Sequence, residues 1–182
     1  MADKFKQLEE KHIEFINNQY LFFVGTAGAE GKVNVSPKGM DTLRVANPNT
    51  VIWSNHTGSG NETSTHVQEN GRMTLMFCSF DKAPLILRLY GLAQVIHPRD
   101  EAGKSMENHF GKLPGVRQYF QLNIDMVMTS CGFGVPYYEY QGERETLLNW
   151  EEKRGQEGIE KYWEEKNQIS LDGLKTNVIK NV

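Results

Sequence analysis

Six short runs of β-forming residues, separated by turn signals, limit the folds that this chain can adopt. Each run is rich in branched or aromatic side chains or alternates apolar with polar residues. The runs are Tyr20–Val24, Lys32–Pro37, Thr50–Ser54, Arg72–Phe80, Leu85–Ile96 and Tyr119–Met128. Short antiparallel strands in this number favour a closed or partly closed barrel, because closure removes exposed sheet edges. We therefore predict a mainly β fold, a β-barrel with flanking helices.

Four other segments carry apolar residues at helical spacing. They are Lys4–Asn17, Asn61–Asn70, Pro98–Phe110 and the charged stretch Glu143–Lys166. Gly71 follows the second of them and supplies a left-handed stop. The sequence contains neither an internal repeat nor a low-complexity linker. We expect one domain over residues 1–182, with a helical C-terminal extension from about residue 143.

Charge and cysteine content narrow the function classes. The chain carries a formal net charge of −3, and its lysines and arginines are scattered. Nucleic acids and anionic membranes select basic patches, so neither is an expected partner. The N-terminus is unlike a signal peptide, and the apolar run around Tyr20–Val24 is too short to span a bilayer. Cys78 and Cys131 form no CxxC pair, so we expect a cytoplasmic protein without a disulfide framework or a metal site.

The segment Ser54–His66 is the strongest candidate for a ligand site. A strand enters a Gly-containing loop, and the loop opens a helix. The free N–H groups and the positive dipole end of a helix start attract anions, and residues 63–65 would add hydroxyl donors. A phosphate ester is the ligand that this chemistry favours. The alternative needs no ligand, because Ser59 and Glu62 also match the capping-box pattern.

Two cations stand where they could serve an anionic ligand. Lys38 lies at a strand end beside Gly39, which permits close backbone approach; a solvated lysine is the alternative. Arg88 alternates with leucines inside the apolar run Leu85–Gly91. A buried arginine needs an anionic partner, and this partner could be a ligand phosphate or a protein carboxylate.

The order of these segments along the chain carries a family resemblance. The matching stretches are Asn34-Val-Ser-Pro-Lys-Gly39, Val51-Ile-Trp-Ser-Asn55, Asn61–Phe77 and Arg88–Val95. Together they resemble the FMN-binding split barrel of the pyridoxamine 5′-phosphate oxidase family, from about Glu10 to Val95. The tail Thr129–Pro136, with Gly142-Glu-Arg144 and Trp150, resembles one bacterial subgroup of FMN-binding proteins.

The resemblance implies a homodimer with an FMN site at each end of its interface and a small-molecule substrate. The strand Val33–Lys38 would run beside the isoalloxazine ring and ribityl chain. The strand end at Trp53–Ser54 would flank the ribityl chain and phosphate, and the helix start Gly60–Ser64 would hold the phosphate. Lys38 would also lie near the anionic end of the substrate. The implied cofactor-binding set is Val33, Asn34, Val35, Ser36, Pro37, Lys38, Trp53, Ser54, Asn55, Gly60, Asn61, Glu62, Thr63, Ser64 and Arg88.

The sequence departs from the family pattern in two places. Many members carry an Arg-Lys pair at the helix start, where this chain has Glu62-Thr63. Charge neutralisation would then fall to Lys38, Arg88 or a residue of the partner subunit. The Trp- and Arg-rich segment with which the oxidase clamps pyridoxal phosphate is not found here. The alternative is a clamp rebuilt by residues of the partner subunit, with Arg117, Arg144 and Arg154 as the candidates.

We therefore expect an FMN-dependent oxidoreductase that is not an efficient oxidase of pyridoxamine 5′-phosphate. In such enzymes the flavin carries the redox chemistry and the protein orients it. Two alternatives stay open at this point. One is a flavin-binding or storage protein without turnover, and the other is a split-barrel relative that binds haem or a deazaflavin.

Overall fold

The computed structural model describes residues 2–111 and 113–179. One sheet of eight strands dominates it. The strands are β1 (Asp3–Phe5), β2 (Phe22–Thr26), β3 (Asn34–Lys38), β4 (Leu43–Asn47), β5 (Thr50–His56), β6 (Arg72–Cys78), β7 (Ile86–Ile96) and β8 (Val116–Ser130). The helices are α1 (Glu10–Asn17), α2 (Glu62–Asn70), α3 (Glu101–Phe110) and α4 (Thr146–Lys166).

The sheet is antiparallel and curls into a half-barrel. Its strand order is β3-β2-β6-β7-β8-β5-β4, and β1 adds to β8 outside this path. The long strands β7 and β8 pair from Ile86–Ser130 to Ile96–Tyr119 and form the centre of the sheet. The edge strands β3 and β4 are joined only by residues 39–42, so their ends lie close along the chain. The predicted mainly β split-barrel fold is confirmed.

The concave side of the sheet holds the main apolar core. Trp53 of β5 is fully buried and stacks on Phe120 of β8, with ring centroids 4.6 Å apart. Phe22 of β2 meets the Trp53 ring edge to face at 6.1 Å. Burying each of these rings contributes about 1.5–3 kcal/mol. The packing fixes β5 against β2 and β8, and it thereby fixes the polar residues that follow Trp53.

Two elements differ from the sequence prediction. The segment predicted as a helix over Lys4–Asn17 divides into β1, which pairs with residues 127–129 of β8, and the shorter helix α1. Strand pairing outweighs helical spacing there, as tertiary context commonly does. Strand β4 was not predicted, because its five residues lie in a stretch without clear alternation. The turn before it places Met40 and Asp41 at positive φ, 61° and 52°.

Helix α4 lies within the region predicted to be helical from residue 143. It bends at Gly155, whose φ of 62° is non-helical. Ile159 and Trp163 pack with Val178 in a small core of their own. Glu151 is fully buried and reaches His56 of β5 at 3.1 Å, so the helix is attached directly to the sheet. No helix in the described part of the chain is long and apolar enough to cross a membrane.

Candidate functional site

Strand β3 turns a polar face toward the inside of the half-barrel. Asn34, Ser36 and Lys38 stand opposite the buried residues Thr26, Val24 and Phe22 of β2, and paired residues share a face. Val33 and Val35, at the start of the same strand, are 74% and 64% exposed. Pro37 is also exposed, at an edge position where it interrupts no pairing. The candidate residues of this strand therefore divide between two environments.

The inward residues of β3 join a polar cluster built from four elements. Lys38 Nζ donates to Asn55 Oδ1 of β5 at 3.5 Å. Asn55 Nδ2 donates to Gln118 Oε1 of β8 at 3.2 Å. Gln118 Nε2 donates to the hydroxyl of Ser64 on α2 at 3.0 Å. These four residues, with Asn34, Asn61 and Thr63, are called the polar cluster below. Gln118 is the member that lies in no recognisable sequence motif.

Asn34 links β3 directly to the helix start. Its Nδ2 donates to Thr63 Oγ1 at 3.1 Å. Its Oδ1 accepts from the hydroxyl of Ser36 at 3.3 Å. The strand predicted to flank a flavin and the helix start predicted to hold its phosphate are therefore neighbours in the fold.

Lys38 is the titratable group of the polar cluster. Its Nζ lies 5.4 Å from the centre of the Trp53 ring, within cation–π range. Burial, together with the positive charge of Arg117, lowers the pKa of Lys38 to about 8. The interpretation of Lys38 as a freely solvated lysine is wrong. An anion placed beside Nζ would stabilise the charged form and raise the pKa of Lys38 again, so this lysine suits an anionic ligand.

Three predicted cofactor-binding residues keep buried polar atoms without a partner among the described residues. They are Trp53 Nε1, Ser54 Oγ and Asn61 Nδ2. Their side chains belong to residues that are 0%, 1% and 3% exposed. Unmade hydrogen bonds of this kind are costly and rare in folded proteins. Trp53 shares the face of β5 with Asn55 of the polar cluster, whereas Ser54 alternates onto the opposite face. The polar ribityl chain and phosphate of a flavin nucleotide could supply partners for Trp53 and Asn61, so these two residues fit such a group.

The start of α2 is built differently from the predicted capping box. The N-cap is Asn61 rather than Ser59, and no side chain caps the helix there. The Glu62 carboxylate lies against Gly60 and accepts from the N–H of Leu171 at 3.3 Å. The capping-box interpretation is therefore wrong. The Glu62 carboxylate is bound to the backbone of Leu171 instead of closing the helix start.

Residues 167–179, called the C-terminal segment below, cover one side of α2. The carbonyl oxygen of Thr176 accepts from the Ser64 hydroxyl and from Gln68 Nε2, both at 3.0 Å. The Ser64 hydroxyl is therefore engaged within the protein, and Ser64 is completely buried. Of the three hydroxyls predicted for phosphate, that of Thr65 donates to the carbonyl oxygen of Glu62 at 2.9 Å, and Thr63 is the one that lies beside β3.

Arg88 lies away from the polar cluster. It stands on β7 opposite Met76 and Met128, on the face of the sheet away from the core. Its Nη1 donates to the hydroxyl of Ser130 at 3.2 Å. The structure thus gives Arg88 a polar neighbour of its own, at a distance of several strands from Lys38.

Arg117 is the arginine that the structure brings to the site. It is 3% exposed and lies behind the loop between β5 and α2. Its Nε donates to the carbonyl oxygen of His56 at 3.1 Å, and its Nη1 donates to that of Gly60 at 2.8 Å. Burial lowers the pKa of Arg117 to about 10, so it stays charged at neutral pH. A role for Arg117 as a clamp that reaches a neighbouring subunit is excluded by this burial.

Comparison with known proteins identifies the family. The model of the pyridoxamine 5′-phosphate oxidase family matches residues 8–131. The chain belongs to this family. The pyridoxamine 5′-phosphate oxidase family protein ustO of Aspergillus flavus is 40% identical over 147 residues, which cover 78% of this chain and 59% of that protein. The chain thus matches about three fifths of the length of this curated relative.

Solved structures with the same fold are more distant in sequence. An FMN-binding protein from Syntrophomonas wolfei superposes with a TM-score of 0.50 at 20% identity, covering 66% of this chain and 84% of that one. A Clostridium acetobutylicum protein related to general stress protein 26 gives a TM-score of 0.51 at 19% identity, covering 68% of this chain and 91% of that one. At these identities the likeness supports the fold.

Proposed function

We propose that this chain binds FMN and acts as a flavin-dependent oxidoreductase on a small molecule, as a homodimer. The observation that carries the proposal is the polar cluster together with two unpartnered buried polar atoms beside it. They are Trp53 Nε1, whose ring lies 5.4 Å from Lys38 Nζ, and Asn61 Nδ2, whose amide oxygen accepts from Asn55 Nδ2 at 3.5 Å. They lie on the strand and helix start that the family resemblance assigns to the flavin. Membership of the family supports the same assignment.

In this proposal, β3 runs along the ring and ribityl chain. The flavin, when bound, supplies hydride or electron transfer. Asn34 and Ser36 offer hydrogen bonds from the polar face of the strand. Lys38 stabilises negative charge on the ring or on the substrate, since an ammonium in a buried setting acts over a low local dielectric. Thr63 and the start of α2 receive the phosphate.

The proposed dimer rests on the exposed side of the sheet. Val33, Val35 and Leu92 expose 74%, 64% and 57% of their surface. Val33 and Leu92 line a shallow groove of about 630 Å³ along β2, β6 and β7. Apolar patches on a sheet face are typical of subunit interfaces. A second copy of the chain would cover these residues.

The identity of the bound cofactor and the relative affinities for FMN and riboflavin test the proposal. Purified protein should release FMN, identified by mass, and should show flavin absorbance rather than a Soret band. The flavin-free protein should bind FMN more tightly than riboflavin, because the helix start favours an anion. Anaerobic addition of NADH or NADPH then separates an oxidoreductase, in which the flavin is bleached, from a storage protein. A protein that binds neither flavin would refute the proposal.

A further inference from the structure

We infer that Arg117 and Asn167 are positioning residues, which orient the peptide groups of the loop Thr57–Asn61 so that its N–H groups face an anionic ligand. The inference rests on the proposed FMN site and names the part of the protein that makes that site selective for a phosphate. It concerns one residue inside the family-matched region and one beyond it, since the match ends at residue 131.

The two side chains bind one side of the loop. Arg117 Nη1 donates to the carbonyl oxygen of Gly60 at 2.8 Å and lies 3.5 Å from that of Gly58. Asn167 Nδ2 donates to the carbonyl oxygen of Gly58 at 3.0 Å and lies 3.4 Å from that of Ser59. Arg117 Nη1 also donates to Asn167 Oδ1 at 2.8 Å, which holds the two side chains together. Three successive carbonyl groups are therefore held toward the protein interior.

The orientation of the N–H groups follows from the peptide bond. A planar trans peptide directs its N–H opposite to its C=O, and the described residues contain no cis peptide. The carbonyl groups of residues 58, 59 and 60 point toward Arg117 and Asn167, so the N–H groups of residues 59, 60 and 61 point away from them. The preceding peptide obeys the same rule: the His56 carbonyl accepts from Arg117, and the Thr57 N–H donates to the Gly115 carbonyl in the other direction.

Consecutive N–H groups that face one way form a concave anion site, and here they lead into a helix N-terminus. Asn61 provides an independent sign of a ligand there. It is 3% exposed, and its Nδ2 has no hydrogen-bond partner among the described residues. The loop thus offers backbone donors at the point where many relatives carry an Arg-Lys pair and this chain carries Glu62-Thr63.

The charge of Arg117 supports the same interpretation. Its hydrogen-bond partners are neutral carbonyl and amide oxygens, and no carboxylate lies within ion-pair distance of it in the described part of the chain. The carboxylates of Glu62 and Glu151 favour its charged form from farther away, but burial outweighs them and lowers the pKa of Arg117. A buried arginine without a carboxylate in direct contact is unfavourable. An anion on the far side of the loop, polarised through the intervening peptide dipoles, would compensate this charge.

Affinities for FMN and riboflavin, measured by flavin fluorescence quenching, test the inference. In Arg117→Lys the charge is kept but the fork that spans several carbonyls is lost. In Asn167→Ala the donor to Gly58 and Ser59 is removed without a change of charge. For both variants we expect FMN affinity to fall by about tenfold or more, the value of one hydrogen bond to a charged group. Riboflavin affinity should change little, because riboflavin lacks the phosphate.

Trp163→Phe is the matched control. It removes a buried hydrogen bond of 2.8 Å from Trp163 Nε1 to the Thr57 hydroxyl, in the same region, but leaves the loop carbonyls bound. We expect it to lower stability and to leave the ratio of FMN to riboflavin affinity unchanged. If Arg117→Lys fails to fold, Asn167→Ala alone decides the outcome.

The possible outcomes distinguish a failure of the proposed flavin site from a failure of the positioning role of Arg117 and Asn167. Wild-type protein that binds neither flavin refutes the proposed function and this inference with it. Wild-type protein that prefers FMN, with variants that keep that preference, refutes the inference alone. Equal losses for FMN and riboflavin in the variants would also overturn it, since they would mean a general loss of structure.

Discussion

Replacing Lys38 with methionine should stabilise the flavin-free protein at pH 7 while weakening FMN. Methionine keeps the length of the side chain and removes the buried charge. Burial and the nearby charge of Arg117 lower the pKa of Lys38 from 10.5 to about 8. A shift of this size corresponds to about 3 kcal/mol of unfavourable free energy for the charged form in the folded state.

The pKa shift is a net quantity, so it already includes the favourable contacts of the ammonium group. Lys38→Met removes these contacts, a hydrogen bond to Asn55 at 3.5 Å and a cation–π contact with Trp53 at 5.4 Å, together with the charge. The net gain in the free energy of unfolding at pH 7 should therefore be positive and at most about 3 kcal/mol.

The gain should disappear as the pH rises. Because the pKa of Lys38 is lower in the folded state, the unfolded chain binds more protons between pH 8 and 10.5. The stability of the wild-type protein therefore increases between these pH values. Methionine does not titrate, so position 38 adds no pH dependence to the stability of the variant. The penalty is fully present below about pH 8 and is absent once the lysine is neutral in both states.

Urea unfolding of flavin-free protein at pH 7 and pH 10 measures the stability gain of Lys38→Met and its dependence on pH. The matched control is Lys32→Met, since the Lys32 side chain is 70% exposed and only reaches Asp172 at 3.4 Å. That surface change should alter stability by less than about 0.5 kcal/mol at either pH. A Lys38→Met protein that is less stable than wild type at pH 7, or whose stability difference is the same at both pH values, would refute the reasoning.

Three further predictions follow from other parts of the molecule. Sedimentation at micromolar concentration should give a dimer of the 20.8 kDa chain, and a monomer alone would contradict the proposed interface. Gly115→Ala should cost about 1–3 kcal/mol of stability, because its Cβ would overlap the buried Glu151 carboxylate, whereas Gly134→Ala, with open space around it, should fold normally in the same melting experiment. Oxidation of pyridoxamine 5′-phosphate should proceed with kcat/KM below about 10⁴ M⁻¹s⁻¹, since Arg117 is buried behind the loop; a higher value in a steady-state assay would make the chain an oxidase of this substrate.

Most of the sheet could be predicted from the sequence because its strands show local alternation of apolar and polar residues between turn signals. The hairpin of β2 and β3, the stop at Gly71 with its φ of 73°, and the pair β6–β7 all follow from alternation and turn residues. Strand β1 could not be predicted in this way. Its three residues form a strand only because β8 offers them an edge, and that edge is more than 120 residues away in the chain.

Part of the candidate site could also be predicted from local sequence patterns. Lys38, Asn55 and Thr63 lie in motifs that can be recognised from the sequence alone, and the fold brings them together. Gln118 lies in no motif, and Arg117 was predicted only as a clamp for a neighbouring subunit, because each is one polar residue at the start of a strand. Their contacts join residues that are far apart in the chain: Arg117 binds Gly60, 57 residues away, and Gln118 binds Asn55 of β5 and Ser64 of α2.

The C-terminal segment contacts the proposed phosphate site from outside the region that the chain shares with its family. The family match ends at residue 131, but Asn167, Leu171 and Thr176 bind the loop carbonyls, Glu62 and Ser64 at the start of α2. These contacts engage one hydroxyl and one carboxylate at the helix start. In the proposed site, anion binding by the helix start would therefore depend on backbone groups and on the residues that orient them. Ligand preference in this chain should respond to changes in α4 and the C-terminal segment as strongly as to changes in the matched barrel.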